Sequence, residues 1–225
     1  MAEKPKKAPK FTSPKGTFKY PRLNEPDTKF KPAGEYSVKL ILDPEEDAVK
    51  ALIKKLSPLH HEAVEAGQEA WDELKAAAKK NNPFKTNDLF AEDYDDQDEK
   101  TGLIVFNMKM TASGSNKKTG KEWSRSPVIF DSKGVALPKP PSIWGGTIGK
   151  VSFETMPYFT ATAGAGMSLR LSAVQVIDLV SGGGSRDASE YGFGEEEGYE
   201  GEAEAPKASA SSNDDDGDDD EDPFT

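Results

Sequence analysis

Glu35-Tyr36-Ser37-Val38-Lys39-Leu40-Ile41-Leu42, followed without a break by Asp43-Pro44-Glu45-Glu46, is the stretch that decides the fold. Apolar and polar residues alternate before the run ends wholly apolar, which is the period of a strand with one buried face. The next four residues form a helix start, with Asp43 at the N-cap, Pro44 at N1 and Glu46 at N3. Val49, Leu52, Ile53 and Leu56 then recur at helical spacing. Ser57-Pro58 repeats the N-cap and N1 pattern, which predicts a break and a second helix to about Lys80. Its buried stripe is expected to be Ala63, Ala70, Trp71 and Leu74, and Asn81-Asn82-Pro83 stops it.

Outward from this point the chain reads as strands. Residues 16–21 alternate and form a first strand closed by Pro21, and residues 29–33 are a basic loop. Residues 83–101 read as an acidic loop. Strands return at 103–110, 123–131, 148–158 and 167–180. Between them lie the turns Gly114-Ser115-Asn116, Asp131-Ser132-Lys133-Gly134 and Ala163-Gly164-Ala165-Gly166. Two strands, a helical insertion over about 44–82 and four further strands are too few for a sandwich. The expected fold is mainly β, an OB-fold-like barrel of five to six strands with a helical insertion after the second.

Charge divides the chain further. Over the full 225 residues the net charge is −11, yet residues 181–225 hold sixteen acidic and two basic groups. That segment has too little apolar surface to offset its chain entropy and is expected to be a disordered acidic tail. The rest is net positive, and its charge is segregated. Ten basic and four acidic groups fall in 1–42, nine and four in 101–180, but eight and sixteen in 43–100. The domain plan is therefore a flexible basic arm (1–15), one barrel domain (16–180) and the tail (181–225). Two basic blocks beside a separable acidic tail point to a nucleic-acid partner.

Many chemistries are excluded. With no cysteine there is no disulfide, thiolate metal site or thiol nucleophile. No apolar run reaches membrane-spanning length and the basic N-terminus has no apolar core, so a soluble intracellular protein is expected. Phosphate-loop, hydrolase-elbow and zinc-protease motifs are missing. His60 and His61 are neighbours pointing about 100° apart on a helix, a solvated pair instead of a metal site. Asp93-Tyr94-Asp95-Asp96-Gln97-Asp98 fails as a calcium loop, with Asp98 at the glycine position and Ile104 at the glutamate position. Gly182-Gly183-Gly184 reads as a linker. Neither an enzyme, a metal nor a cofactor is expected.

What stands out is aromatic residues interleaved with basic ones. Lys117, Lys118, Lys121, Trp123 and Arg125 fall within nine positions, with Lys109 in the strand before them. Trp144 lies in a Pro/Gly loop, and Lys150, Phe153, Tyr158, Phe159 and Arg170 follow. Single strands are bound by cations that track phosphates and by rings on which bases stack. Strand aromatics are also core residues, and Phe106, Phe130 and Phe153, flanked by aliphatics, are expected there, as is Trp71. Tyr158 and Phe159 are adjacent and must face opposite ways. Trp123 and Trp144 are open to either role. Rival readings are an acidic protein-interaction adaptor and a cold-shock-like RNA binder.

The order of features resembles the single-stranded DNA-binding proteins of podophages, which have an OB-fold and an acidic tail. The residues carrying the resemblance are Val128-Ile129-Phe130-Asp131 with Ser132-Lys133-Gly134, Ile143-Trp144-Gly145-Gly146, Lys150-Val151 and Met156-Pro157-Tyr158. The run Ala163-Gly164-Ala165-Gly166-Met167-Ser168-Leu169-Arg170-Leu171 completes the set, and Pro32-Ala33-Gly34-Glu35-Tyr36 matches moderately. The resemblance implies strand protection, annealing, and roles in phage DNA replication, recombination and repair in the cytoplasm of an infected bacterium. It also implies homodimers and contacts of the tail with the phage DNA polymerase and helicase-primase. It supports Tyr158 as a stacking residue. Ala33 stands where relatives often carry a basic residue, which leaves phosphate contact there to Lys29 or Lys31. Docking would rest on Asp218, Asp219, Asp220, Glu221, Asp222 and Phe224, with Thr225 after the phenylalanine that typically ends the relatives' tail.

Overall fold

The structure, a computed structural model, describes residues 8–29, 31–116 and 119–181. In chain order the elements are β1 (Lys10–Thr12), β2 (Gly16–Asp27), β3 (Glu35–Leu42), α1 (Asp47–Asp72), α2 (Ala76–Asn81), β4 (Ala91–Tyr94) and β5 (Lys100–Thr111). Then follow β6 (Ser113–Ser115), β7 (Glu122–Ser124), β8 (Val128–Phe130), β9 (Ile148–Thr160) and β10 (Gly164–Asp178). Five strands close on themselves in the order β9-β2-β3-β5-β10, because β10 also pairs with β9. Closure removes their open edges, and the result is a five-stranded barrel of OB type.

Two of the five seams are thin. β5 and β10 run parallel and meet at Leu169 with Met108 and Arg170 with Lys109. β2 and β9 meet at Gly16 with Gly149 and Thr17 with Ile148. At the second seam a Cβ on Gly149 would lie 2.5 Å from the Phe18 ring and 2.4 Å from the Gln175 carbonyl. Glycine there lets Phe18 fill the barrel interior while the strands close around it. Inward alternation on β3 supplies Tyr36, Val38, Leu40 and Leu42 to the core, which Phe106, Met108, Val151, Phe153, Leu171 and Val174 complete. The remaining strands flank the barrel: β1 on β9, β8 on β10 and β4 on β5.

The helical insertion lies where the sequence places it, but its internal grammar differs. Asp43 makes a turn ahead of the helix, its carboxylate accepting the Glu45 N–H at 2.8 Å, and α1 starts four residues later at Asp47. No break occurs at Pro58. Leu52, Leu56, Ala63 and Gly67 form one buried stripe across it, and Pro58 itself is on the exposed side. The carbonyl deprived of a partner belongs to exposed Lys54, so water can satisfy it. Burial of the stripe outweighs the local signal. Gly67 was not foreseen, and it lets α1 approach β10, since a Cβ there would lie 2.3 Å from Ala165 Cβ. Trp71 is half-buried instead of core: it packs on Phe84, its indole N–H donates to the Asn82 carbonyl, and Lys79 lies over its face.

Other boundaries move as well. β2 runs through Pro21 to Asp27, and residues 10–12 of the basic arm form β1, with Phe11 stacked on Phe153. The acidic loop contains β4, whose Asp93 is buried. Gly164-Ala165-Gly166 opens β10 instead of forming a turn: it pairs with Thr160, Phe159 and Tyr158 of β9, and on its other side Lys85 O accepts the Ala165 N–H and Ala165 O accepts the Asn87 N–H. Residues 123–131 divide into β7, paired with β6, and β8, paired with β10. Phe130 is half-buried, unlike Phe106 and Phe153.

Candidate nucleic-acid interface

Outward alternation on the barrel strands lines up cations across four of them. One rung runs Arg22 (β2), Ser37 (β3), Lys109 (β5), Arg170 (β10) and Glu154 (β9), each opposite the next. A second runs Lys19, Lys39 and Asn107. The inward neighbours of these residues are core, so alternation forces the charged ends onto the surface. Lys19, Lys39, Asn107, Lys109 and Arg170 of these rungs line an open groove of about 820 Å3 bordered by Tyr20 and Tyr158. Residues 87–95 contribute much of the remaining lining, including Asp88, Glu92, Asp93 and Asp95. One part of the groove is thus basic and the other acidic.

Two of the cations are tied to carboxylates. Lys19 Nζ lies 2.7 Å from Asp93 and donates to the Tyr94 carbonyl at 2.8 Å. The hydrogen bond to Asp93 holds Lys19 above the usual lysine range. Burial alone would push the Asp93 carboxyl up, but bonds from Lys19 and Thr101 outweigh it and hold it down. At the far side Glu35 is shared by Lys109, at 3.0 Å, and by Lys31. Burial opposes ionisation of Glu35, and the two lysines more than reverse it. Lys39 and Arg170 form no ion pair among the described residues, while Glu154 faces Lys10 at 3.8 Å.

Two features adjoin the groove. Tyr20 also borders a second, smaller cavity of about 560 Å3 together with Arg22 and Trp144, a residue 55% exposed. Beyond β5, the β6–β7 hairpin carries Trp123 over Gly114, with the Arg125 guanidinium 4.9 Å from the Trp123 ring centroid. Arg125 Nε donates to the Thr111 carbonyl at 2.9 Å. Burial and then the like charge of Arg170 push the Arg125 guanidinium down.

The residues singled out in the sequence are distributed as follows. Tyr158, Lys109 and Arg170 line the main groove, and Trp144 lines its neighbour. Trp123, Arg125 and exposed Lys121 are on or beside the hairpin. Lys29 is exposed in the β2–β3 loop, where Lys31 is held by Glu35. Phe159 turns the other way from Tyr158 and packs toward α1 beside Gly67. Lys150 stands apart on β9 opposite Gln175, four residues from the rung at Glu154. Lys117, Lys118, the acidic residues Asp218, Asp219, Asp220, Glu221 and Asp222, and Phe224 lie outside the described residues.

The sequence reading missed Lys19, Tyr20, Arg22 and Lys39. Lys19 and Lys39 occupy outward positions of strands it identified, so parity alone could have nominated them. Arg22 and Tyr20 could not have been found that way, because a bulge changes the parity between them. His60 is not simply solvated: its Nε2 bonds the Asn87 carbonyl at 2.8 Å, while His61 sits beside Glu65. Among the described residues no cluster of three or more His, Asp or Glu could hold a metal, and no helix is long and apolar enough to cross a membrane.

Comparison with known proteins bears on the family and the fold. The family model described as "Single-stranded DNA-binding protein, Bacteriophage T7" matches residues 15–179. The single-stranded DNA-binding protein of Escherichia phage T7 is 31% identical over 200 residues, 84% of each chain. That of Enterobacteria phage T3 is 30% identical over 190 residues, 79% of each chain. The crystal structure of gp2.5, the single-stranded DNA-binding protein encoded by bacteriophage T7, superposes with a TM-score of 0.62 at 29% identity, covering 87% of this chain and 100% of that one. The fold is shared with the single-stranded DNA-binding protein of bacteriophage Enc34 in complex with ssDNA, at a TM-score of 0.50 and 16% identity over 78% and 89% of the two chains. A barrel with a helical insertion after its second strand, matched over nearly its whole length, places this chain in the family of T7-type bacteriophage single-stranded DNA-binding proteins.

Proposed function

We propose that the protein binds single-stranded DNA, without strong sequence preference, along the groove that crosses β2, β3, β5 and β10. The observation that carries this reading is the pair of outward cation rungs beside a groove that Tyr20 and Tyr158 border. Phosphates neutralise such a row whatever the sequence, and a base can stack on either ring because every base has a π-face. The carboxylates of residues 88–95 favour one strand over two. A duplex brings a second line of phosphates, which meets like charge there.

In this reading the protein coats single strands in the infected host, promotes annealing of complementary strands, and serves phage DNA replication, recombination and repair. The acidic segment 181–225 competes with DNA for the basic groove and docks basic faces of the phage DNA polymerase and helicase-primase. The working unit is a homodimer. Sixteen carboxylates tethered near a net-positive domain support the competition, since a short tether holds its end at an effective concentration of about millimolar.

Gel shifts with matched single- and double-stranded oligomers test the reading. At least about tenfold tighter binding to the single strand is expected, because stacking needs base faces that a duplex hides. Equal affinity for the duplex would reject the groove-and-platform mechanism. Removing 181–225 should tighten binding severalfold at low salt, with the gain shrinking as salt screens the attraction. A competing ribo-oligomer of equal length separates DNA from RNA specificity.

A further inference from the structure

Tyr20 sits in a backbone conformation that needs a reason. Its φ is +52°, in the left-handed region that a bulky residue rarely enters. It also precedes Pro21, whose ring disfavours helical backbone in the residue before it. The β2–β3 register shows the cause: Lys19 faces Lys39 and Arg22 faces Ser37, so Tyr20 and Pro21 together oppose Val38. This is a β-bulge. Phe18 and Leu23 are both buried although five positions apart, an odd spacing that strict alternation forbids. The bulge supplies the extra residue that keeps both inside while Arg22 points out.

The consequence is a tyrosine expelled from the barrel. Tyr20 is 67% exposed, the most exposed large hydrophobic side chain among the described residues. Its ring lies 5.6 Å from Lys39 Nζ and 6.0 Å from Lys19 Nζ, measured to the centroid. It lines the main groove and the cavity of Trp144 alike. An exposed ring between two lysines, one of them Lys39 with no ion pair among the described residues, at the junction of two grooves, has what a stacking platform requires. Strained backbone is kept where the surrounding structure uses it.

Building on the single-strand reading above, we propose that Tyr20 is a base-stacking residue, and that the bound strand passes over it from the groove of Tyr158 into that of Trp144. Tyr20→Ala, Tyr20→Phe, Tyr20→Gly and Tyr158→Ala, each in the full chain, are titrated with oligothymidylate by fluorescence anisotropy and melted without DNA. Loss of one stacked base should weaken binding by Tyr20→Ala about 5- to 150-fold. Tyr20→Phe keeps the ring and should bind within about twofold of the unaltered protein. Tyr20→Gly should bind as weakly as Tyr20→Ala yet melt no lower than the unaltered protein, because glycine accepts the positive φ without strain. That separation of affinity from stability is what a merely structural tyrosine would not produce. If Tyr20→Ala binds normally while Tyr158→Ala is weakened, the platform at Tyr20 is rejected and the single-strand reading stands. If Tyr20→Ala loses affinity only in proportion to unfolded protein, the platform is likewise rejected. If the unaltered protein does not bind the oligomer, the single-strand reading fails and takes this proposal with it.

Discussion

Glu35→Gln should tighten binding of single-stranded DNA while making the protein less stable. Glu35 opens β3 with its side chain only 17% exposed, and it is shared by Lys31 and Lys109, which are 57% and 49% exposed. A phosphate reaching either lysine must first compete with this carboxylate. Ion pairs with one partner this exposed are worth about 0.2–1 kcal/mol each. Freeing both lysines should therefore tighten binding about 2- to 30-fold. Each lysine newly able to meet a phosphate should steepen the log–log salt dependence by about 0.7. The same loss lowers stability by a similar amount, a fall of a few °C in melting temperature for a domain of this size, at about 2–4 °C per kcal/mol. Because its folded pKa is depressed, Glu35 contributes stability that is present above its unfolded value and lost as pH falls through the folded one. Acidification through that window should thus mimic the substitution in the unaltered protein. Anisotropy titrations with oligothymidylate over a range of sodium chloride measure both affinity and slope. Unchanged or weaker binding by Glu35→Gln, with an unchanged slope, would show that Lys31 and Lys109 are not on the phosphate path.

Tyr158→Ala should cost about 1–3 kcal/mol in strand affinity with little loss of melting temperature, since the ring borders the groove only half-buried; a large fall in melting temperature with normal affinity per folded molecule would make it a core residue. Asp93→Asn breaks a buried pair and should cost about 1–3 kcal/mol near neutral pH. Its folded pKa is depressed, so the deficit should narrow in urea melts as pH falls through that value, and a pH-independent deficit would contradict the charge argument. Gly67→Val places a branched side chain where even a Cβ would lie 2.3 Å from Ala165, and should lower the melting temperature by roughly 4–10 °C with DNA affinity per folded molecule unchanged.

The sequence showed the barrel strands well because each carries one buried face. β3 appears over the residues its alternation predicts, and β5, β9 and β10 differ from expectation mainly at their ends. What failed were local punctuation signals set against long-range packing. Pro58 looks like a helix start, but the stripe from Leu52 to Gly67 buries across it. Pro21 looks like a strand end, but the bulge beside it lets β2 continue. The site was legible in proportion to parity. Arg170, Lys109 and Tyr158 could be nominated from basic and aromatic residues in strands. Tyr20 was hidden because no pattern in sequence announces a bulge that turns an aromatic outward. The ties of Lys19 to Asp93 and of Lys109 to Glu35 span 74 positions in both cases, and only the closed barrel brings them together.

Photocrosslinking of oligothymidylate to the full chain, followed by peptide mapping, tests the central claim most directly. The groove reading predicts adducts concentrated in peptides of β2, β5 and the β9–β10 pair, with Tyr20 and Tyr158 among the modified residues. The outer face of α1 and the β8 edge should remain unlabelled. Adducts on α1 or β8, with none in the groove strands, would contradict it.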